Sequence, residues 1–343
     1  MMLRSLLKLQ RAGQMDLQAR WSQVLRGLLA GLVASLLVMS TAAEARRIVL
    51  PNGDVYEGEI EGGARTGQGT YIWADGHRYT GAFLNNRMHG GGTYTWPDGR
   101  TYTGSFMADR REGQGTLRWA NGDTYEGEFL DNEMHGQGTF YWNNKDSYAG
   151  DFVRGRRTGR GEFVWRTGER YAGGFEDGKL QGEGVFTWPD GRTFEGTFVQ
   201  GVKTGVGVLQ WPNGNRYVGQ FALDDRQGLG LFYWRDGTLF RGQFAANRMH
   251  GYGVKQQPDG QMELQHWRDG ELILTRPLAA VPNCSLRIDD QPWMFESDVC
   301  VNGLAHGAGL AASLDGERIV PGGRFVLGTL VEGQIVSLKL GDQ

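Results

Sequence analysis

The sequence predicts an all-β protein whose main part, from Arg47 to about Leu272, is a single elongated antiparallel sheet of tandem β-hairpins. Glycine accounts for 56 of 343 residues and aromatic residues for 11%. This combination is typical of many short strands joined by turns and not of a disordered chain. A motif of aromatic residues and glycines recurs every 23 residues without an insertion, and a fixed period of this length indicates a repeat architecture.

Residues 1–45 predict an export signal. Five basic residues precede the apolar run 27–43, and Ala43-Glu44-Ala45 matches a cleavage site in front of Arg46. The alternative is a retained anchor, because the run is only slightly shorter than a bilayer-spanning helix. In both cases the basic flank stays inside and the repeats cross the membrane. We therefore expect an exported protein of the periplasm or cell envelope, anchored in the inner membrane if residues 27–43 are retained.

The exported part is acidic. Without residues 1–45 the chain keeps 31 basic and 37 acidic residues, a formal charge of −6, which excludes a typical nucleic-acid binder. Cys284 and Cys300 both lie in this part. An even cysteine count in an oxidising compartment favours a disulfide between them, with two buried free thiols as the alternative.

The repeat can be described by positions counted from the first aromatic residue of each unit. Glycine occupies positions 3, 12 and 14 in all nine units, position 5 is Phe or Ile, and position 18 is Trp in eight units. The units begin at Tyr56, Tyr79, Tyr102, Tyr125, Tyr148, Tyr171, Phe194, Tyr217 and Phe240.

Each unit predicts a strand at positions 1–6, a loop at 7–12, a strand at 13–18 and a turn at 19–23. Trp96-Pro97-Asp98-Gly99 has the proline and glycine that such a turn requires. Alternation places positions 1, 3, 5, 14, 16 and 18 on one face. We expect position 5 to pair with 14 and position 3 with 16, so that a large cross-strand neighbour covers each glycine.

The pattern Y-x-G-x-F-x(6)-G-x-G-x(3)-W-x-D-G resembles the MORN repeat family over residues 46–272. The resemblance implies a single-layer, elongated antiparallel sheet with a groove, used for recognition, scaffolding or membrane proximity. Family members often carry a catalytic domain, such as the lipid kinase of plant phosphatidylinositol phosphate kinases. No stretch of this chain is long enough for one, and we expect no enzyme.

Both ends of the array are marked. Leu50-Pro51-Asn52-Gly53 matches the end of a unit, and Trp267 falls on position 5 of a degenerate tenth unit, as expected of terminal caps. Residues 273–343 predict a small C-terminal β segment that holds the disulfide and caps the array. It includes one decayed repeat with Cys300 at position 5.

Neither a catalytic site nor a metal or cofactor site is expected. His89, His135 and His250 all occupy position 11, at least two units apart, too far for shared metal ligation. Five aspartates precede a turn glycine, where a carboxylate accepts local hydrogen bonds. These are Asp75, Asp98, Asp190, Asp236 and Asp259.

The main binding hypothesis is a groove lined by the rings at positions 1 and 18, although a purely structural core role is favoured for any single ring. An exposed aromatic stripe marks an interaction site. A protein partner is the leading expectation, with membrane phospholipid and envelope glycan as alternatives. For an anionic lipid, the candidate contacts are Arg154, Arg156 and Arg157. The candidate groove residues are Tyr79, Trp96, Tyr102, Trp119, Tyr125, Trp142, Tyr148 and Trp165.

The opposite face changes character along the array. Positions 13 and 15 are polar in the early units and apolar in the late ones, as at Val206, Leu229 and Val254. A sheet that is apolar on both faces requires a second layer. We expect the segment after Leu272 to supply it. The alternative is a second subunit, which would make the protein a homo-oligomer through the C-terminal half of the sheet.

Overall fold

The computed structural model describes residues 45–278, 284–296 and 299–341. The signal or anchor predicted within residues 1–45 therefore lies almost entirely outside the described residues. Strands and turns make up the described part, which contains no helix. Accordingly, none of its elements is a helix long and apolar enough to cross a membrane. The prediction of an all-β protein is confirmed.

The main sheet has 21 antiparallel strands, and each strand pairs with its neighbours along the chain in a continuous meander. Its strands are β1 (Ala45–Val49), β2 (Val55–Glu61), β3 (Ala64–Ile72), β4 (Arg78–Leu84), β5 (Arg87–Thr95), β6 (Thr101–Met107), β7 (Arg110–Arg118), β8 (Thr124–Leu130), β9 (Glu133–Tyr141), β10 (Ser147–Val153), β11 (Arg156–Val164), β12 (Arg170–Glu176), β13 (Lys179–Thr187), β14 (Thr193–Val199), β15 (Val202–Gln210), β16 (Arg216–Ala222), β17 (Asp225–Tyr233), β18 (Leu239–Ala245), β19 (Arg248–Gln256), β20 (Met262–Arg268) and β21 (Glu271–Leu278).

The two strands of each unit are joined by a two-residue turn at positions 7 and 8. Both residues have positive φ, as at Asn85 (49°) and Asn86 (69°). This is the turn whose twist matches that of paired strands. The expected loop at positions 7–12 is therefore wrong. The second strand begins at position 9, and His89, His135 and His250 lie in strands.

Consecutive units are joined by the predicted Trp-x-Asp-Gly turn. In the unit that begins at Tyr79, the N–H of Gly99 donates to the carbonyl of Trp96 over 3.0 Å. Asp98 Oδ1 accepts the N–H of Arg100 at 3.0 Å. Asp75, Asp190, Asp236 and Asp259 accept the equivalent bond, so their predicted turn role is confirmed. The tryptophan opens the turn and does not lie within the strand.

Degenerate units close both ends of the array. Asp54 is buried and accepts hydrogen bonds from the Tyr71 hydroxyl (2.6 Å) and the Ala74 N–H (2.9 Å). At the other end, Trp267 Nε1 donates to Gln265 Oε1 over 3.1 Å, and Gln265 fills the place of the glycine at position 3. This last hairpin extends the sheet to Leu278, beyond the predicted limit near Leu272.

A second sheet follows, held near its start by the predicted disulfide between Cys284 and Cys300. The hairpin tip from Cys300 to Ala305 repeats the turn of the units, with positive φ at Asn302 and Gly303. The C-terminal strands are β22 (Leu286–Ile288), β23 (Gln291–Glu296), β24 (Cys300–Val301), β25 (Leu304–Ala305), β26 (Gly307–Ser313), β27 (Arg318–Val326), β28 (Thr329–Gly333) and β29 (Val336–Ser337).

This C-terminal sheet packs on the late part of the face opposite the aromatic rings. Leu229, Val254 and Leu264 of the main sheet share one buried cluster with Met294 and Ile319 of the second. The predicted cover is therefore supplied by the chain itself. An ion pair of 2.8 Å between Arg241 and Glu317 adds a polar contact across the same interface.

Candidate functional site

The observed strand register brings glycine against glycine. Gly127 at position 3 pairs with Gly138 of its own unit and with Gly115 of the preceding unit. The expected pairing of position 3 with position 16 is wrong by two residues. Beyond the paired glycines, extra residues around the positive-φ glycine at position 12 (Gly136) shift the register within the hairpin.

The tyrosine at position 1, on the same strand as the glycine at position 3, covers both glycines of each pair within its hairpin. Tyr125 is fully buried and lies over Gly127 and Gly138. Its hydroxyl donates to the carbonyl of Glu128, three residues ahead, over 2.9 Å, and six other units repeat this bond. Burial raises the pKa of Tyr79, Tyr102, Tyr148 and Tyr171 to about 12. The glycines leave space for aromatic rings, as expected. The ring that fills this space belongs to position 1 of the same unit and not to the expected position 16 or 5.

The phenylalanines at position 5 join the tyrosines into one buried row. Tyr125 contacts Phe129 of its own unit and Phe152 of the next, both edge to face, with centroids 5.2 and 5.0 Å apart. Such geometry is favoured between rings. Because this row is buried, the predicted groove residues Tyr79, Tyr102 and the equivalent tyrosines offer no surface to a partner.

The tryptophans at position 18 form a second, half-buried row, called here the tryptophan row. Each indole lies between the position-16 side chains of its own unit and the next, and both of these are aromatic rings for Trp73, Trp142 and Trp165. Trp142 lies 4.5 Å from Phe140 and 5.3 Å from Phe163, measured between centroids. Of the predicted groove residues, the tryptophans are therefore partly exposed, whereas the tyrosines are buried. The row consists of Trp73, Trp96, Trp119, Trp142, Trp165, Trp188, Trp211 and Trp234.

Cations at position 10 lie over rings of both the tyrosine row and the tryptophan row. The Arg157 guanidinium is 5.3 Å from the ring centre of Trp142 and donates to the carbonyl of Gly178 over 3.0 Å. Burial lowers the pKa of Arg157. Of the other predicted anion contacts, Arg156 pairs with Asp177 at 2.9 Å, and Arg154 is exposed in a turn. The three arginines thus do not converge on one ligand site.

The opposite face, called here the polar face, carries an open groove that the sequence pattern did not predict. A depression of about 930 Å³ runs over the units that begin at Tyr102, Tyr125 and Tyr148. Glycine pairs line its middle and Thr, Gln, Glu and Arg side chains line its sides. A second depression of about 340 Å³ adjoins it at Arg160 and Gly161. Positions 2, 4, 13 and 15 could have indicated this surface, because they alternate with the ring positions.

The titratable side chains discussed above form turn and packing contacts. No group of three or more His, Cys, Asp or Glu within the described ranges is arranged to hold a metal ion. The turn aspartates serve the backbone, and the hydrogen bond from the Arg100 N–H lowers the pKa of Asp98. The geometry therefore offers two candidate surfaces for binding, the tryptophan row and the polar groove.

Several solved structures are similar at low identity. The TCP domain of Drosophila melanogaster SAS-4, solved with a proline-rich motif of Ana2, is 19% identical over 46% of this chain and 85% of that domain, with a TM-score of 0.31. The TCP10 domain of Danio rerio CPAP is 14% identical over 67% of this chain and 99% of that domain, with a TM-score of 0.24. Scores this low do not establish a shared architecture.

The family comparison matches the array directly. None of the curated proteins matches the sequence at a significant level. The family model of the MORN repeat matches residues 56–78, 79–99, 102–124, 125–147, 148–170, 171–191, 194–216, 217–239 and 240–262. These nine segments coincide with the nine units defined above and cover more than half of the chain. The chain therefore belongs to the MORN repeat family.

Proposed function

We propose that this chain is a non-catalytic binding scaffold of the cell envelope that captures a protein partner along its tryptophan row. Membership of the MORN repeat family indicates a repeat-based binding or scaffold role. The observation that carries the proposal is the partial exposure of the tryptophan row. Eight indoles recur at one position and stay accessible, although the tyrosines beside them are fully buried.

The row is continuous over its central part, and this continuity favours an extended partner. Trp119, Phe140, Trp142, Phe163 and Trp165 stack in sequence, with successive centroids 4.5 to 5.3 Å apart. An indole can contact a partner through its ring and donate a hydrogen bond through its N–H, which is why tryptophan is enriched at interfaces. Repeat arrays commonly bind along such an extended surface.

The two alternative ligands, anionic phospholipid and envelope glycan, have less support than a protein partner. Recognition of an anionic phospholipid usually requires a cluster of about four to eight basic groups. Here Arg156 is paired with Asp177, Arg157 is packed against Trp142, and Arg154 alone projects freely from its turn. Envelope glycan would use the same tryptophans as a protein partner, so it is treated as an outcome of the test.

The test is affinity capture from the native envelope with matched variants. Trp142→Ala should reduce recovery of a protein partner. Tyr141→Ala should leave it unchanged, because Tyr141 is the adjacent residue, is 47% exposed and faces the other side of the sheet. Arg154→Ser with Arg156→Ser should also have little effect, and recovery should change little with salt. Circular dichroism shows whether each variant is folded.

Two outcomes would overturn this proposal. Loss of recovery with the arginine variant, or with added salt, would favour anionic phospholipid. Capture that depends on Trp142 but survives protease treatment of the envelope extract would favour a glycan.

Export is part of the proposal, and it rests on the sequence of residues 1–45. The intact mass of protein recovered from the envelope fraction should correspond to a chain that begins at Arg46. A mass that includes residues 27–43 would instead indicate a retained anchor. Recovery of the full-length protein from the cytosolic fraction alone would contradict export.

A further inference from the structure

The groove on the polar face has a charge pattern of its own. Its two adjoining depressions are lined by four carboxylates, Glu126, Asp151, Glu183 and Glu195, and by one guanidinium, Arg160. Within the part of the chain that the structure describes, none of these four carboxylates is in an ion pair. All three glutamates of this set are exposed. The groove therefore presents net negative charge to whatever lies in it.

The basic residues closest along the sheet do not cancel this charge. Arg170 forms an ion pair of 2.5 Å with Glu162, which is a further acid of the same face. Arg156 is paired with Asp177 at the hairpin edge. Each of these two cations is matched by a carboxylate outside the groove lining. Arg118, exposed on the same face two residues from Thr116, adds one positive charge, so two guanidiniums stand against four carboxylates.

At one end of the array, the same face already forms a packing interface within the chain. The C-terminal sheet packs there against Leu229, Val254 and Leu264. Val185, which lies within the acidic part of the groove, and Val206, which lies nearer the interface, remain 38% and 51% exposed. Val185 lines the second depression and pairs with Glu195, which in turn pairs with Val208, so apolar and acidic side chains alternate between the covered surface and the groove.

We propose that this groove binds a basic, extended polypeptide segment that lies across the strands. Its Lys or Arg side chains would be held by Glu126, Glu183 and Glu195, and an apolar side chain would contact Val185 and Val206. Charge complementarity selects the basic class of partner, and continuity with the covered part of the face gives the apolar contact. This site lies on the face opposite the tryptophan row and is independent of the proposed function.

The probe for this site is a fluorescently labelled synthetic peptide in which Lys and Val alternate. Its binding to the full chain can be followed by fluorescence anisotropy. The test variant carries Glu126→Gln, Glu183→Gln and Glu195→Gln. Asp151 is left unchanged because it accepts the backbone N–H of Arg160 over 2.7 Å. The control variant carries Glu61→Gln, Glu133→Gln and Glu271→Gln, three exposed glutamates at hairpin edges that undergo the same change in charge.

We expect the test variant to weaken peptide binding about tenfold and the control variant to weaken it less than about twofold, because exposed ion pairs each contribute modestly. Binding to the unaltered chain should weaken with salt. Trp142→Ala should leave the peptide affinity unchanged, so this site and the tryptophan row can fail separately. Absence of peptide binding, equal effects of the two triple variants, or equal binding of a Glu-Val peptide would overturn the proposal.

Discussion

The ring of Tyr79 occupies the space that a side chain on Gly92 would need. A Cβ placed on Gly92 would lie 2.6 Å from Tyr79 Cζ, which is closer than real contacts allow. The neighbouring residue Gly91 differs completely, since a Cβ there would meet nothing within 4 Å. Packing against Tyr79 therefore requires glycine at position 92, whereas the space around Gly91 would accept a side chain.

Gly92→Ala should therefore destabilise the array by about 1–3 kcal/mol through overpacking. Gly91→Ala should be neutral, or should stabilise by up to about 1 kcal/mol because the unfolded chain loses freedom. Denaturant midpoints of the two variants provide the comparison. If both substitutions shift the midpoint equally, the tyrosine does not fill this space.

Tyr125→Phe should cost about 1 kcal/mol, because the carbonyl of Glu128 loses a donor in a buried setting. The chain supplies its own comparison in Phe194, which stands at position 1 without a hydroxyl. Phe194→Tyr should restore the equivalent bond to Thr197 and stabilise the fold. Thermal unfolding of both variants gives the sign of each change. A neutral Tyr125→Phe would mean that water replaces the hydroxyl.

The tyrosine row also predicts an alkaline limit of stability. Burial raises the pKa of Tyr79, Tyr102, Tyr148 and Tyr171 to about 12, whereas an unfolded tyrosine titrates near 10. The folded state binds more protons between these values, so stability should hold below about pH 10 and fall from there towards pH 12. Tyrosinate absorbance and circular dichroism should change together. Ionisation of most of the tyrosines without loss of structure would contradict the burial.

The disulfide should contribute to the stability of the C-terminal sheet. Cys284 and Cys300 are 16 residues apart, and closing a loop of this size contributes about 3 kcal/mol in the chain-entropy model. The double substitution to Ser should lower the unfolding temperature of this sheet. Addition of reductant to the unaltered protein should have the same effect. Thiol labelling of the native protein without reductant would show that the bond is not formed.

Deletion of residues 279–343 should expose the apolar part of the polar face. Leu229, Val254 and Leu264 lose their cover, and the truncated chain should bind a hydrophobic dye and aggregate. A matched truncation with Leu229→Thr and Val254→Thr should be more soluble. A soluble, dye-negative truncation without these changes would contradict the packing of the C-terminal sheet.

The repeat, its hairpins and its caps could be predicted because the same residues recur at fixed positions. The two-residue turn could also have been found, because position 8 is always Gly, Asn or Asp, as at Asn86 and Gly155. These residues accept the left-handed backbone at low cost. The error arose from treating positions 7–12 as one loop.

The register could not be derived from alternation. A slip of one residue would turn each side chain to the other face, but a slip of two leaves every side chain on its face. The pattern around Gly127 is therefore compatible with both pairings, and only the irregularity near Gly136 separates them. The groove was missed for a related reason, since residues such as Gln114 and Gln137 read in sequence as an ordinary solvated face.

The buried residues of the units are nearly interchangeable, whereas their polar faces are not. Thr103, Glu126 and Ala149 occupy position 2 in three successive units above the same Gly–Gly pairs and Tyr–Phe row. Exchange of whole units would preserve the hydrogen-bonded ladder and permute the order of charges along the groove. The charge pattern of the groove can therefore be rewritten by shuffling 23-residue blocks, with no redesign of the core.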